Sequence, residues 1–441
     1  MADPFKAYDI RGIYPEQLDA PLAEKIGNAV AAHLGLAGQR YAVARDMRLS
    51  SPVLKQAFIA GLVAGGVKVV DCGMISTPAL TWAMHELGTA GGAQITASHN
   101  PAAYGGIKLT GPGFVPIGGG SGMEQIEALV RAGKTTKAAG GGVEDALVLD
   151  GYTTCIAKRL SLKRPLRIVV DGGNGMIGTL FQHLAPKLPG VAIVPMLFDP
   201  DGRFPHHDAN PLKAENLKQI QARVVAEQAD FAAAFDGDGD RCALVDGQGR
   251  IVSCDLTTAL LASHYLQQEP GAAVAYDLRS SKVVPEMIRA WGGKPVETRV
   301  GHSFIKQTLK ETGAVLAGEL SGHYYFRDFY GADSGLFAFV LLANVVSRAR
   351  SLAELVEPLR RYHHSGEINF TAEKDAAFAR VRALPGAELQ ELDGITVRYR
   401  DWWANVRASN TEPVVRLNLE ADTAALMQAK VAELGALIRG T

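Results

Sequence analysis

The sequence has few cysteines and no charge bias of either sign. Four cysteines in 441 residues, Cys72, Cys155, Cys242 and Cys254, are scattered without metal-ligand spacing or disulfide density. They read as ordinary thiols of a reducing cytosol, with Cys242 as packing rather than chemistry. Basic and acidic residues nearly balance, 45 against 46, with no basic tail or block. Nonspecific nucleic-acid binding is therefore not expected. No run of about 18 apolar residues occurs, which argues against a membrane span. Met1-Ala2-Asp3-Pro4-Phe5-Lys6 lacks a signal-peptide core. These absences predict a cytoplasmic protein without nucleic-acid or membrane partners.

The hydrophobic fraction, 47%, is ample for large cores, and the length suggests three or four domains. An internal repeat is visible. Tyr41–Ser50 and Ala273–Ser281 are apolar strands that end in an Asp-x-Arg turn, Asp46-Met47-Arg48 and Asp277-Leu278-Arg279. Each precedes a helical pattern, a Gly-Gly pair and another strand. Leu166–Gly173 starts a third, looser copy. Strand–helix–strand units of this length predict an α/β architecture over roughly the first 360 residues. A linker is expected at Ala139–Val143, and a helix at Leu352–Tyr362 closes the third unit. The remainder alternates as strands and ends in an amphipathic helix, Asp422–Arg439, which predicts a smaller α+β domain. The division expected is 1–144, 145–251, 252–363 and 364–441.

The stretch Asp236-Gly237-Asp238-Gly239-Asp240-Arg241 follows an apolar strand, Phe231–Phe235. Alternation points the three carboxylates to one side, and the glycines let the loop curl them together. Hard oxygen ligands favour Mg²⁺ or Ca²⁺ over Zn²⁺. An EF-hand is excluded, because Arg241 and Gly247 stand where that loop needs Gly and Glu. A solvated acidic turn is the bland alternative. Arg241 adds a fixed charge suited to phosphate oxygens.

Thr96-Ala97-Ser98-His99-Asn100-Pro101 offers Ser98 as a nucleophile, although adjacent serine and histidine side chains rarely meet. Lys108 could neutralise phosphate or donate a proton. Gly318-Glu319-Leu320-Ser321-Gly322-His323 and Arg407–Pro413 are polar loops suited to hydroxyls and anions. In this order, and starting at Tyr8-Asp9-Ile10-Arg11-Gly12, the motifs resemble the α-D-phosphohexomutase superfamily, most closely bacterial phosphomannomutase/phosphoglucomutase. The resemblance covers nearly the whole chain.

The resemblance implies four domains around a central cleft and reversible phosphoryl transfer between C1 and C6 of hexose phosphates. Glucose 1-phosphate and glucose 6-phosphate, and the mannose pair, are the expected substrates, with glucose 1,6-bisphosphate as intermediate and activator. Ser98 would carry the phosphoryl group. Mg²⁺ would bind Asp236, Asp238, Asp240 and an oxygen on Ser98, and Arg241 would support the transferring group. Arg11 and Lys108 would lie near the reacting oxygens, either one able to act in proton transfer. Glu319 and Ser321 would read sugar hydroxyls, and His323 would bind phosphate or move a proton. Tyr8, Arg279 and His302 would contact substrate. Arg407, Ser409, Asn410 and Thr411 would clamp the phosphate that does not react. A monomer is the expected state, and the last domain would rotate about a hinge near His363–Gly366. Two departures stand out: Arg279 occupies a position that is usually Lys, and Gly105 one that is usually polar. The alternatives are a phosphoglucosamine mutase and a catalytically silent sugar-phosphate-binding protein.

Gly173-Asn174-Gly175-Met176-Ile177-Gly178 matches a dinucleotide fingerprint, with Asp199 downstream. Asp171 and Gly172 intervene between the strand and the motif, which predicts a tight strand-to-helix turn instead.

Overall fold

Three stretches of the chain fold into one strand pattern. In the first, the strands are Arg40–Arg45, Lys68–Met74, Gly92–Ile95 and Tyr104–Thr110. In the second they are Leu166–Asp171, Val191–Met196, Phe231–Phe235 and Cys242–Asp246. In the third they are Ala273–Asp277, Lys294–Thr298, Leu316–Gly318 and Tyr324–Phe326. Each time the first strand lies between the second and third and is parallel to both. The fourth returns antiparallel along the third. Parallel neighbours need crossover connections, and helices supply them. The looser third copy in the sequence is thus a full structural repeat.

The coordinates come from a computed structural model that describes residues 3–408 and 414–440. Two compact units form, Met1–Ile251 with Ala332–Ser351, and Val252–Gly331 with Leu352–Thr441. The first unit holds the first two sheets. Strand Ile10–Ile13 adds to the first sheet antiparallel to Tyr104–Thr110. On the other side, Gly142–Asp145 pairs parallel with Lys68–Met74, so the expected linker ends in an edge strand. Strand Phe231–Phe235 is buried throughout, as in sheets covered on both faces. One cover is helix Gly335–Ser347, buried along its whole length and capped where Ser334 accepts from the Phe337 N–H. Its Phe339 ring lies 5.4 Å from Phe181 and 6.1 Å from Phe235.

The second unit holds the third sheet and an antiparallel one. The latter runs His363–Phe370, Val415–Ala421, Trp402–Ala408, Ile395–Arg398 and Glu388–Gln390. Helices Lys374–Arg382 and Ala424–Arg439 cover its apolar face. Thr423 sets the start of the last helix by accepting from the Leu426 N–H. The helix expected over Leu352–Tyr362 is shorter. It runs Leu352–Val356 and passes into a 3₁₀ turn, Glu357–Leu359, because Pro358 has no N–H to continue the ladder. The fold is three mixed α/β units followed by a smaller α+β unit. No single helix among the described residues is long and apolar enough to cross a membrane.

Candidate active site

The serine loop, the acidic loop and the Glu319–His323 loop occupy one topological position. Each joins the third strand of its repeat to the fourth. Each repeat also ends its first strand on a buried aspartate: Asp46, Asp171 and Asp277. One carboxylate oxygen accepts from the backbone N–H two residues on, at 2.9 Å from Arg48, 2.8 Å from Gly173 and 2.8 Å from Arg279. The other oxygen faces a side-chain nitrogen, Arg48 Nε at 3.3 Å, His207 Nε2 at 3.0 Å and Arg279 Nη2 at 2.7 Å. The Asp-x-Arg signal is therefore a braced turn at the end of each repeat's first strand, and in the second repeat a distant histidine replaces the arginine.

Ser98 is buried and left-handed, with φ 49°. Its N–H donates to Thr96 Oγ1 at 2.9 Å. The fully buried Arg48 guanidinium donates to the carbonyls of Ser98 at 2.8 Å, Pro101 at 2.8 Å and Tyr104 at 3.1 Å. Ser98 Oγ donates to Asp236 Oδ2 at 2.8 Å and lies 3.2 Å from His99 Nδ1. That neighbour contact runs against the expectation for adjacent residues. An extended backbone would send the two side chains to opposite faces, and the left-handed turn breaks the alternation.

Asp236, Asp238 and Asp240 are buried, with ligand oxygens within 4.8 Å of one another. The solvated-turn alternative therefore fails. Lys108 Nζ donates to Asp238 Oδ2 and Asp240 Oδ2, each at 2.7 Å. Thr77 Oγ1 donates to Asp238 Oδ2 at 2.6 Å. Asp238 Oδ1 is buried with no hydrogen-bond partner among the described residues, which suits an oxygen reserved for a cation. Burial, then Asp240 and Asp238, raises the Asp236 carboxyl well above its ordinary range. For Asp238, burial and Asp240 push upward, but the Lys108 ammonium and the Thr77 hydroxyl win and hold it below. Lys108 is held protonated, since the two carboxylates outweigh its burial. Arg241 Nε stands 3.8 Å from Asp236 Oδ2. Arg11, on Ile10–Ile13, is fixed by Asp9 at 2.7 Å and by Asn100 Oδ1 at 2.5 Å. Tyr8 is half-buried just before that strand.

The stretch that resembled a dinucleotide fingerprint is a strand-to-helix turn into Ile177–Leu184. Its glycines serve close packing. A Cβ on Gly175 would lie 2.7 Å from the Gly237 carbonyl, and one on Gly237 would lie 2.6 Å from the Ser98 carbonyl. Three loops thus stack backbone to backbone. Gly105 pairs with Gly12 and faces Leu54, inside the sheet packing.

In the second unit, Glu319 is buried, 3.5 Å from Arg279 and 3.4 Å from the Tyr325 hydroxyl. Asp277 Oδ2 also accepts from the Leu320 N–H at 2.8 Å, tying this loop to the neighbouring strand. Ser321 Oγ is buried with no hydrogen-bond partner among the described residues. His323 is half-buried, and its carbonyl accepts from the Glu319 N–H at 2.9 Å. His302 opens helix His302–Thr312. Arg407 is buried and paired with Glu367 at 2.7 Å. Ser409, Asn410 and Thr411 lie outside the described residues.

Sequence reasoning missed Arg48, Thr77, His99 and Glu367 at these sites. Only Arg48 left a signal, the repeated Asp-x-Arg turn, which was read as fold rather than site.

Family models match almost end to end. Phosphoglucomutase/phosphomannomutase alpha/beta/alpha domain I covers residues 2–137, domain II 150–249, domain III 254–362 and the C-terminal domain 367–435. The phosphohexose mutases of Xanthomonas campestris pv. campestris are 40% identical, over 99% of both chains. The phosphomannomutase/phosphoglucomutase of Pseudomonas aeruginosa is 39% identical, over 95% of this chain and 92% of its own. A crystal structure of a phosphoglucomutase/phosphomannomutase family protein from Burkholderia thailandensis superposes with a TM-score of 0.92 at 35% identity, covering 99% and 97% of the two chains. With all four domain models matched in order, the chain belongs to the phosphoglucomutase/phosphomannomutase family and is a phosphohexomutase, an isomerase.

Proposed function

We propose that this enzyme moves a phosphoryl group reversibly between C1 and C6 of glucose and mannose phosphates, through a phosphoserine at Ser98 and a hexose 1,6-bisphosphate. The observation that carries this reading is the 2.8 Å hydrogen bond from Ser98 Oγ to Asp236 inside a buried acidic triad. In the forward half-reaction the bond between phosphorus and Ser98 Oγ breaks and a sugar hydroxyl oxygen takes the phosphorus. The sugar hydroxyl gives up its proton and a proton ends on Ser98 Oγ, the leaving oxygen, with Arg11 or Lys108 able to act in that transfer. In the return half-reaction Ser98 Oγ gives up its proton and takes the other phosphoryl group, and a proton completes the freed sugar hydroxyl.

The donor set fits Mg²⁺: a serine oxygen and three carboxylates, one of which, Asp238, has a buried oxygen without a hydrogen-bond partner among the described residues. Asp236, Asp238, Asp240 and Ser98 would hold the ion, which neutralises the charge of the transferring group. The carboxylates that Lys108 now neutralises would then have a second cation, freeing its ammonium for phosphoryl oxygens. Its protonated state supports an electrostatic or acid role. Arg11, anchored by Asp9 and Asn100, and Arg241 would stabilise the same oxygens. Glu319 and Ser321 would orient sugar hydroxyls, as polar sites that discriminate sugars do. Tyr8, Arg279, His302, His323, Arg407, Ser409, Asn410 and Thr411 would hold the distal phosphate and ring.

A coupled assay with Mg²⁺ and bisphosphate, on the 1-phosphates of glucose, mannose and glucosamine, tests the reading. Turnover of the first two and a phosphate-sized mass adduct lost in Ser98→Ala are expected. A preference for glucosamine 1-phosphate would reassign the substrate. Unchanged activity in Ser98→Ala would sink the phosphoserine.

A further inference from the structure

Glu367 faces three arginines within the second unit. Its Oε2 lies 2.7 Å from Arg407 Nη2 and 3.5 Å from Arg279 Nη1, and its Oε1 lies 3.1 Å from Arg416 Nη1. Arg279 also meets Asp277 at 2.7 Å and Glu319 at 3.5 Å. Arg279, Arg407 and Arg416 therefore stand against Asp277, Glu319 and Glu367. Guanidinium groups that pair with a carboxylate are equally suited to phosphoryl oxygens.

The three carboxylates are not equally free to leave. The Asp277 side chain is fully buried, and its oxygens also accept from the N–H groups of Arg279 and Leu320. The Glu319 side chain is 8% exposed, whereas that of Glu367 is 27% exposed. Glu367 also lies where the pairing of His363–Phe370 with Val415–Ala421 shifts register, between His364 and Glu367. Ser365 and Gly366, just before it, are thus outside the regular ladder. A phosphate dianion reaching Arg279 and Arg407 would compete with the carboxylates that already hold them. Of the three carboxylates, Glu367 is the most exposed to water.

We propose that Glu367 is an internal counter-ion for the phosphate site. It holds Arg279 and Arg407 together until a phosphoryl group takes their donors and sends its carboxylate to solvent. This rests on the reading of those arginines as phosphate contacts. The device weakens phosphate binding by design. A bisphosphate that presents each phosphate in turn must be let go as well as held, and a competing carboxylate shortens each stay.

The test is calorimetric titration of the full chain with inorganic phosphate at fixed low ionic strength, for the parent, Glu367→Gln and Glu367→Asp. Glu367→Gln removes the competing charge and should bind phosphate about tenfold more tightly. Glu367→Asp keeps the charge one methylene short of its partners and should bind about two- to threefold more tightly, which carries the test if the glutamine variant does not fold. In the mutase assay KM should fall, with kcat falling through slower release. Phosphate affinity unchanged or weakened in the folded variants overturns the proposal. Absence of mutase turnover in the parent would overturn the functional reading and leave the phosphate titration to stand or fall by itself.

Discussion

Arg48 donates a hydrogen bond of 2.8 Å to the main-chain carbonyl of Ser98, fifty residues along the chain. The same guanidinium serves the carbonyls of Pro101 and Tyr104, so a single planar fork shapes the whole turn. Arg48→Lys keeps a charge beside the buried Asp46 but cannot reach all these acceptors. It should cost about 1–3 kcal/mol of stability, measured by urea unfolding. Ser98 phosphorylation, read by intact mass, should fall more than folding does. Full phosphorylation in Arg48→Lys would remove the brace from the account.

Thr77 reaches Asp238 across 161 positions of sequence through a 2.6 Å hydrogen bond. Groups that orient metal ligands typically carry about 10–100-fold in affinity or activity. Thr77→Val should weaken Mg²⁺ binding by that order in a calorimetric titration, with little change in unfolding midpoint. Equal Mg²⁺ affinity would show that the carboxylate needs no such support.

Gly237 places its backbone against the serine loop, where an added Cβ would lie 2.6 Å from the Ser98 carbonyl. Gly237→Ala must therefore push the two loops apart. A destabilisation of about 1–3 kcal/mol is expected, with a larger loss of turnover, at least about tenfold. Parent-like kcat/KM would count against close loop contact as a requirement.

His207 completes the second repeat's brace by meeting Asp171 at 3.0 Å. Burial lowers the imidazole's proton affinity, but the Asp171 hydrogen bond, the Asp208 carbonyl and both carboxylate charges raise it above its ordinary value. A histidine raised on folding stabilises fully below its unfolded value, about 6.5, and loses that contribution as pH climbs through the raised value. The parent should thus lose stability relative to His207→Gln as pH climbs above about 6.5, followed by chemical denaturation at several pH values. Parallel curves for the two proteins would exclude the pair as the cause.

Much of the fold was legible because its signals are local. Apolar strands ending in Asp turns, Gly-Gly punctuation and the change to alternating strands after residue 366 all lie within short windows. The third copy looked loose because Gly172 and Gly173 replace the Asp-x-Arg pattern, and its cation, His207, comes from elsewhere in the chain. The closing helix was misjudged by one feature, Pro358, whose missing N–H turned an α-helix into a 3₁₀ turn.

The sequence by itself determined which chemical groups exist and which are neighbours: Ser98 in its polar turn, three carboxylates spaced by glycines, Glu319 and Arg407 in theirs. Periodicity settled the α/β units that carry them. Only the tertiary structure decided that the three loops share one topological position, that Asp236 receives the Ser98 hydroxyl, that Arg48 and Thr77 hold the serine turn and Asp238, and that Glu367 faces three arginines. The reason is physical. Local sequence sets backbone torsion and face, while contacts between residues 40 to 161 positions apart depend on which strands lie side by side.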